Sequence, residues 1–62
     1  MPEFIAICRY IDAESGDAEC VTILHDSDNV RLWDRVDDFR RGKAMFDAEY
    51  YHREGGNYVK GA

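Results

Sequence analysis

The feature that most constrains this chain is a pair of β-prone runs set around one turn signal. Phe4-Ile5-Ala6-Ile7-Cys8-Arg9-Tyr10-Ile11 and Cys20-Val21-Thr22-Ile23-Leu24 are rich in β-branched and aromatic side chains, and Glu14-Ser15-Gly16-Asp17 lies between them. The pattern predicts a β-hairpin over residues 3 to 25. With Ser15-Gly16 as a two-residue turn, Glu14 faces Asp17, so Cys8 faces Ile23 and Ile11 faces Cys20. One face then carries Phe4, Ala6, Cys8, Tyr10, Val21 and Ile23. The other carries Ile5, Ile7, Ile11, Cys20, Thr22 and Leu24, interrupted by Arg9. Both faces are apolar, whereas a hairpin covered on one side only alternates apolar with polar. The second face therefore calls for further cover, and Ile5, Ile7 and Ile11 are the expected self-association residues of a homodimer. The same register sends the two cysteines to opposite faces, which forbids a bridge between them.

His25-Asp26-Ser27-Asp28-Asn29 is a polar break, with Asp26 and Asp28 as candidate helix caps, and a helical pattern follows it. Leu32, Val36, Phe39, Lys43, Phe46 and Tyr50 recur at spacings of four, three, four, three and four, a heptad-like stripe with one lysine in it. An unbroken rod of that length would run about 39 Å, too long for so small a domain. Gly42 is the expected break, giving helices at about 28 to 41 and 44 to 53. Glu54-Gly55-Gly56-Asn57 stops the second helix, and Asn57-Tyr58-Val59-Lys60 is either a short edge strand or a frayed tail. The expected fold is α+β, a single small acidic domain over residues 1 to 62, in which an antiparallel hairpin is packed by a helix broken near Gly42.

A chain of 62 residues buries only ~60% of the surface its unfolded form exposes, which leaves little room for an enclosed catalytic pocket. Eight Lys and Arg against thirteen Asp and Glu give a net charge of −5, and residues 12 to 38 hold nine of the acids with two bases. Such a middle excludes nucleic acid and anionic membrane as partners and favours a basic protein surface. No apolar run approaches the ~20 residues of a membrane helix, and Met1-Pro2-Glu3 lacks the basic start of a signal peptide. A cytoplasmic location is the expectation.

Site chemistry is sparse. Asp26-x-Asp28 with Asp37 opens like a calcium loop, but Val30 and Arg31 occupy its fifth and sixth positions. Cys8, Cys20, His25 and His52 count to four zinc ligands without any zinc-site spacing. Neither cysteine sits at a helix start that would activate it, and no glycine-rich loop leads into a helix. No catalytic residue, metal or cofactor is expected, and the chain is not expected to be an enzyme. Arg40-Arg41-x-Lys43 is the remaining phosphate candidate, although the bases scatter around a helix axis.

Eight aromatic residues are many for so small a core. Phe39, Phe46 and Tyr50 belong to the stripe, while Trp33 and Tyr51 lie at its edge. Trp33 beside Asp34, Asp37 and Asp38 resembles an anchor with an acidic rim, so Trp33, Asp34, Asp37, Asp38 and Tyr51 form the expected partner-binding set. The competing expectation is that Trp33 closes the core and that Arg31, Arg35 and Arg41 neutralise the acids. The leading function is a non-catalytic acidic protein-binding module, a phage-type inhibitor or modulator of a basic protein partner. The alternatives are a nucleic-acid mimic that competes for a DNA- or RNA-binding protein and a small structural homodimer.

Overall fold

A computed structural model describes residues 2–12, 14, 16 and 18–61. Its elements are strand β1 (Phe4–Asp12), strand β2 (Glu19–Asp26), helix α1 (Asn29–Phe39), strand β3 (Lys43–Glu54) and strand β4 (Asn57–Lys60). They build one antiparallel sheet in the order β2-β1-β3-β4, with α1 on one face, so the α+β class holds. The first two strands pair, but not through the two-residue turn: Ile7 opposes Ile23, Cys8 opposes Thr22 and Tyr10 opposes Cys20. Ser15 and Asp17 of the expected turn lie outside the described residues. The last pair is Ile11 with Glu19, and this one-residue shift moves every β2 side chain to the face opposite the expected one.

The shift has an identifiable cause. It places Cys20, Thr22 and Leu24 on the side of Ala6, Cys8 and Tyr10, where α1 packs, and lets the Tyr10 and Thr22 hydroxyls share a 2.7 Å hydrogen bond. Cys8 and Cys20 consequently lie on the same face, not on opposite faces, and both are free thiols. Ala6 and Cys8 are fully buried beneath Leu32 and Val36, their small size allowing the helix a close approach.

Helix α1 starts where the polar break predicts. Asp28 is the N-cap, in an extended conformation, and its carboxylate accepts from the backbone N–H groups of Val30 (2.9 Å) and Arg31 (3.3 Å). Asp26 does not cap the helix. It accepts the N–H of Asp28 and the Arg31 guanidinium, pinning the end of β2 to the first turn. Leu32 and Val36 are the buried positions of the stripe, and Phe39 ends it. Gly42, at φ +76°, lies in the turn after the helix, so α1 is finished there and is not broken.

Residues 44 to 53, expected as a second helix, are the core of β3. The helical spacing of Lys43, Phe46 and Tyr50 has another origin. Opposite β1 the register shifts between Arg9, paired with Asp47, and Ile11, paired with Ala44, so Met45 and Phe46 both stand against Tyr10 in a β-bulge. A spacing of four is two strand periods, and a spacing of three is a strand period plus the extra residue of the bulge. Lys43, Phe46 and Tyr50 therefore face α1 just as helix-spaced residues would. Phe46 joins Tyr10 (centroids 6.2 Å apart) and Phe39 (6.3 Å), while the Lys43 ammonium lies 4.1 Å from the centre of the Phe39 ring. The cation closes the end of the aromatic cluster, which explains a lysine in an apolar stripe. Glu54 pairs with Asn57 across Gly55-Gly56, a two-residue hairpin loop with Gly55 at φ +63°, and β4 is the short edge strand.

Met45, the extra residue of the bulge, holds φ +51° and is 81% exposed. Its left-handed backbone costs ~1–2 kcal/mol, more than the flexibility a glycine would bring. Met45→Gly is expected to raise stability by about 0.5 kcal/mol in urea unfolding followed by circular dichroism, because the methionine side chain contributes little burial to lose.

Candidate interaction surfaces

Alternation along β1 and β2 gives the sheet two unlike faces. Even-numbered residues meet α1. Odd-numbered residues of both strands point the other way, where no element of the described residues covers them. Ile5, Ile7 and Ile11 are half-buried on this second face, while Val21 and Ile23 are 58% and 56% exposed. Ile7 opposes Ile23 and Ile5 neighbours it, so Ile5, Ile7, Ile23 and Val21 form one apolar block over two strands. Val21 and Ile23 were expected on the opposite face from Ile5 and Ile7. A signal for the correct side was present: Glu19 and His25 share their parity, while Cys20, Thr22 and Leu24 share the other.

The β3 half of the same face is polar and internally compensated. Arg9 donates to Glu49 at 2.9 Å, the Lys60 ammonium lies 3.6 Å from the same carboxylate, and the Tyr51 hydroxyl donates to it at 2.9 Å. The Tyr51 hydrogen bond, then the Lys60 charge, holds the Glu49 carboxyl below its ordinary pKa. Arg53 pairs with Glu3 at the far end. Asp47 and Glu19 are exposed on this face and, among the described residues, form no ion pair.

The expected partner-binding set is divided between the two sides. Trp33 stacks on Tyr50, with centroids 3.9 Å apart and planes 8° from parallel, and remains 46% exposed. It both closes the core edge and presents a free surface. Asp34, Asp37 and Asp38 are exposed on α1. Tyr51 belongs elsewhere, since its neighbour Tyr50 faces α1 and Tyr51 opposes Ile5 on the helix-free face. The expected neutralising arginines are mostly engaged elsewhere: Arg31 and Arg35 turn to Asp26, and Arg41 lies 3.7 Å from Asp38. Among the described residues, Asp34 and Asp37 form no ion pair. Asp26, with its side chain only 7% exposed, is held well below the usual carboxylate range, chiefly by the Arg31 hydrogen bond.

Two of the open clefts border α1. One, of about 430 Å³, lies past the end of β4 and is lined by Trp33, Asp47, Ala48, Glu49, Tyr50, Lys60 and Gly61. The other, of about 250 Å³, lies between α1 and β2 and is lined by Leu24, Arg35, Asp38 and Phe39. Neither assembles a nucleophile with a base. Burial pushes the Cys8 thiol above its ordinary pKa, the opposite of activation. His25 opposes Ile5 on the helix-free face, away from both cysteines. The calcium candidates diverge, with Asp26 on Arg31, Asp28 capping and Asp37 in the last turn of α1. Among the described residues, no three His, Cys, Asp or Glu side chains converge as a metal site, and no helix is long and apolar enough to cross a membrane. Arg40 lies over Phe46 and Lys43 over Phe39, so two of the three cations of the phosphate candidate are engaged by the aromatic cluster. No family model matches the chain, and no curated protein or solved structure is significantly similar to it.

His52 fastens the end of the sheet. Its Nδ1 lies 2.5 Å from the Gly61 carbonyl and its Nε2 2.6 Å from the Glu54 carboxylate. Two acceptors suit the doubly protonated ring, which alone donates from both nitrogens. The Gly61 bond first and the Glu54 bond second raise the His52 pKa above its ordinary 6.5. A raised folded pKa gives stability that is complete below the unfolded pKa and is lost as pH climbs through the folded one. Between pH 6 and 7.5, below the ordinary thiol pKa of about 8.5, unfolding free energy from urea titrations is expected to fall with rising pH, and His52→Gln is expected to flatten that fall.

Proposed function

We propose that this chain is a non-catalytic protein-binding module whose contact surface is the helix-free face of the sheet. The observation that carries the reading is the apolar block of Ile5, Ile7, Val21 and Ile23 left uncovered on a domain with little core to spare. Exposed contiguous apolar surface rimmed by polar groups marks interaction sites on soluble domains. The partner it suits is a protein with an apolar centre and basic flanks. Asp47 and Glu19 stand at the rim without ion-pair partners among the described residues, and the net charge of −5 steers a basic surface inward. The shallow clefts and the protonated, buried Cys8 support a binding role over a catalytic one.

A second reading uses the other side. Trp33 with Asp34, Asp37 and Asp38 would meet a basic partner through α1, and it is favoured by the diversion of Arg31 and Arg35 to Asp26, which leaves Asp34 and Asp37 uncompensated. Tyr51 does not share that surface.

Affinity capture from the source cells separates the two. Ile7→Lys places a charge in the block beside Glu49, its β3 neighbour, and circular dichroism is expected to remain native. The proposed surface requires that this variant lose the captured protein by roughly tenfold or more, while Asp34, Asp37 and Asp38 replaced together by Asn retain it. Capture lost in the triple variant and kept in Ile7→Lys would reverse the assignment.

A further inference from the structure

The outer edge of β2 offers a different kind of site from the face. Strand β2 pairs with β1 on one side, and no strand among the described residues pairs with its other side. Arg35 Nη1 donates to the His25 carbonyl at 2.7 Å, so that carbonyl is directed away from β1. Backbone groups two residues apart in a strand point the same way, which aims the N–H and C=O of Ile23 and Val21 outward as well. Natural edges of this length are usually blunted by proline, lysine, a bulge or a covering element. Within Glu19–Asp26 there is no proline, lysine or bulge, and the Arg35 contact covers one carbonyl at one end.

We infer that the β2 edge pairs with the β2 edge of a second copy of this chain, antiparallel about a two-fold axis at Thr22, joining two four-stranded sheets into one of eight strands. The register follows from side-chain chemistry. Centred on Thr22, Val21 meets the second copy's Ile23, Cys20 meets its Leu24, and Glu19 meets its His25, so apolar groups face apolar groups and an acid faces an imidazole. Centring on Ile23 sets Val21 against His25, and centring on Val21 sets Glu19 against Ile23. In the favoured register Val21 and Ile23 form hydrogen-bonded pairs through their outward backbone groups, and Thr22 lies on the axis as a non-hydrogen-bonded pair.

Charge permits the approach although each copy carries −5. Near this edge Asp26 is held by Arg31 and Arg35, and Asp38 by Arg41; Glu19, without an ion pair among the described residues, would face the second copy's His25, and the uncompensated Asp34 and Asp37 lie on α1. The cleft of Leu24, Arg35, Asp38 and Phe39 opens along the same strand. The pairing would also set two apolar blocks side by side on one continuous sheet face, and it holds whatever that face binds.

Sedimentation of the full chain tests the pairing. The wild type is expected to be dimeric at ~10–100 μM, the range of a weak but specific association. Val21→Pro removes an outward N–H without removing a bond to β1, and Ile23→Lys places a cation on the edge; each is expected to weaken the dimer by roughly tenfold or more with unchanged circular dichroism. Thr22→Cys is expected to form a disulfide-linked dimer on mild oxidation, because the axial Cα atoms would be ~4.5 Å apart. A wild type that stays monomeric at ~1 mM would overturn the inference. So would a dimer that survives both edge variants, resists Thr22→Cys cross-linking and dissociates with Ile7→Lys, since that copy would sit on the sheet face.

Discussion

Leu32 and Val36 packing onto Ala6, Cys8 and Tyr10 is the contact on which the rest of the molecule depends. Among the described residues these five form the buried core, and they join the helix to the central strand. Once the even-numbered side of β1 lies under α1, β2 has to present Cys20, Thr22 and Leu24 to the same side, which selects its register. The third strand has to bring both Phe46 and Lys43 to Tyr10 and Phe39, and one inserted residue at Met45 achieves that. The cost is a left-handed backbone at an exposed methionine.

Asp26 links this packing to the distribution of charge. By taking Arg31 and Arg35 it fixes the passage from β2 into α1, and it withdraws two cations from the helix surface. The acids beyond it lose their nearest compensation, while the helix-free sheet face balances Arg9 and Lys60 against Glu49 and Arg53 against Glu3. A single carboxylate thus helps separate an acidic side from a largely neutral, partly apolar one.

That separation bears on how so small a domain acts. Among the described residues five form the buried core, and none of the described elements adds a second layer against which a deep pocket might be built. Chemistry has to be presented on surfaces, and the face, the edge of β2 and the outer side of α1 differ in what they offer. The face offers apolar side chains, the edge offers backbone hydrogen bonds, and the helix offers carboxylates around a half-exposed Trp33.

Local chemistry by itself determined several parts of the structure. The β-prone runs from Phe4 and Cys20, the break at His25 to Asn29, Asp28 as a cap and the Leu32, Val36 and Phe39 stripe depend on neighbours in the chain and were legible in it. The acidic surface of α1 was legible for the same reason. Gly55-Gly56 was an equally local signal for a hairpin, masked by the apparent helical spacing before it. Tertiary structure alone decided that Lys43 to Glu54 is a strand, because spacings of three and four fit a helix and a bulged strand equally, and only the unpaired edge of β1 favours the second. It also decided the register of β2. A shift of one residue leaves composition and hydropathy unchanged, yet it exchanges the two faces, and the choice falls to whichever set of side chains α1 can cover.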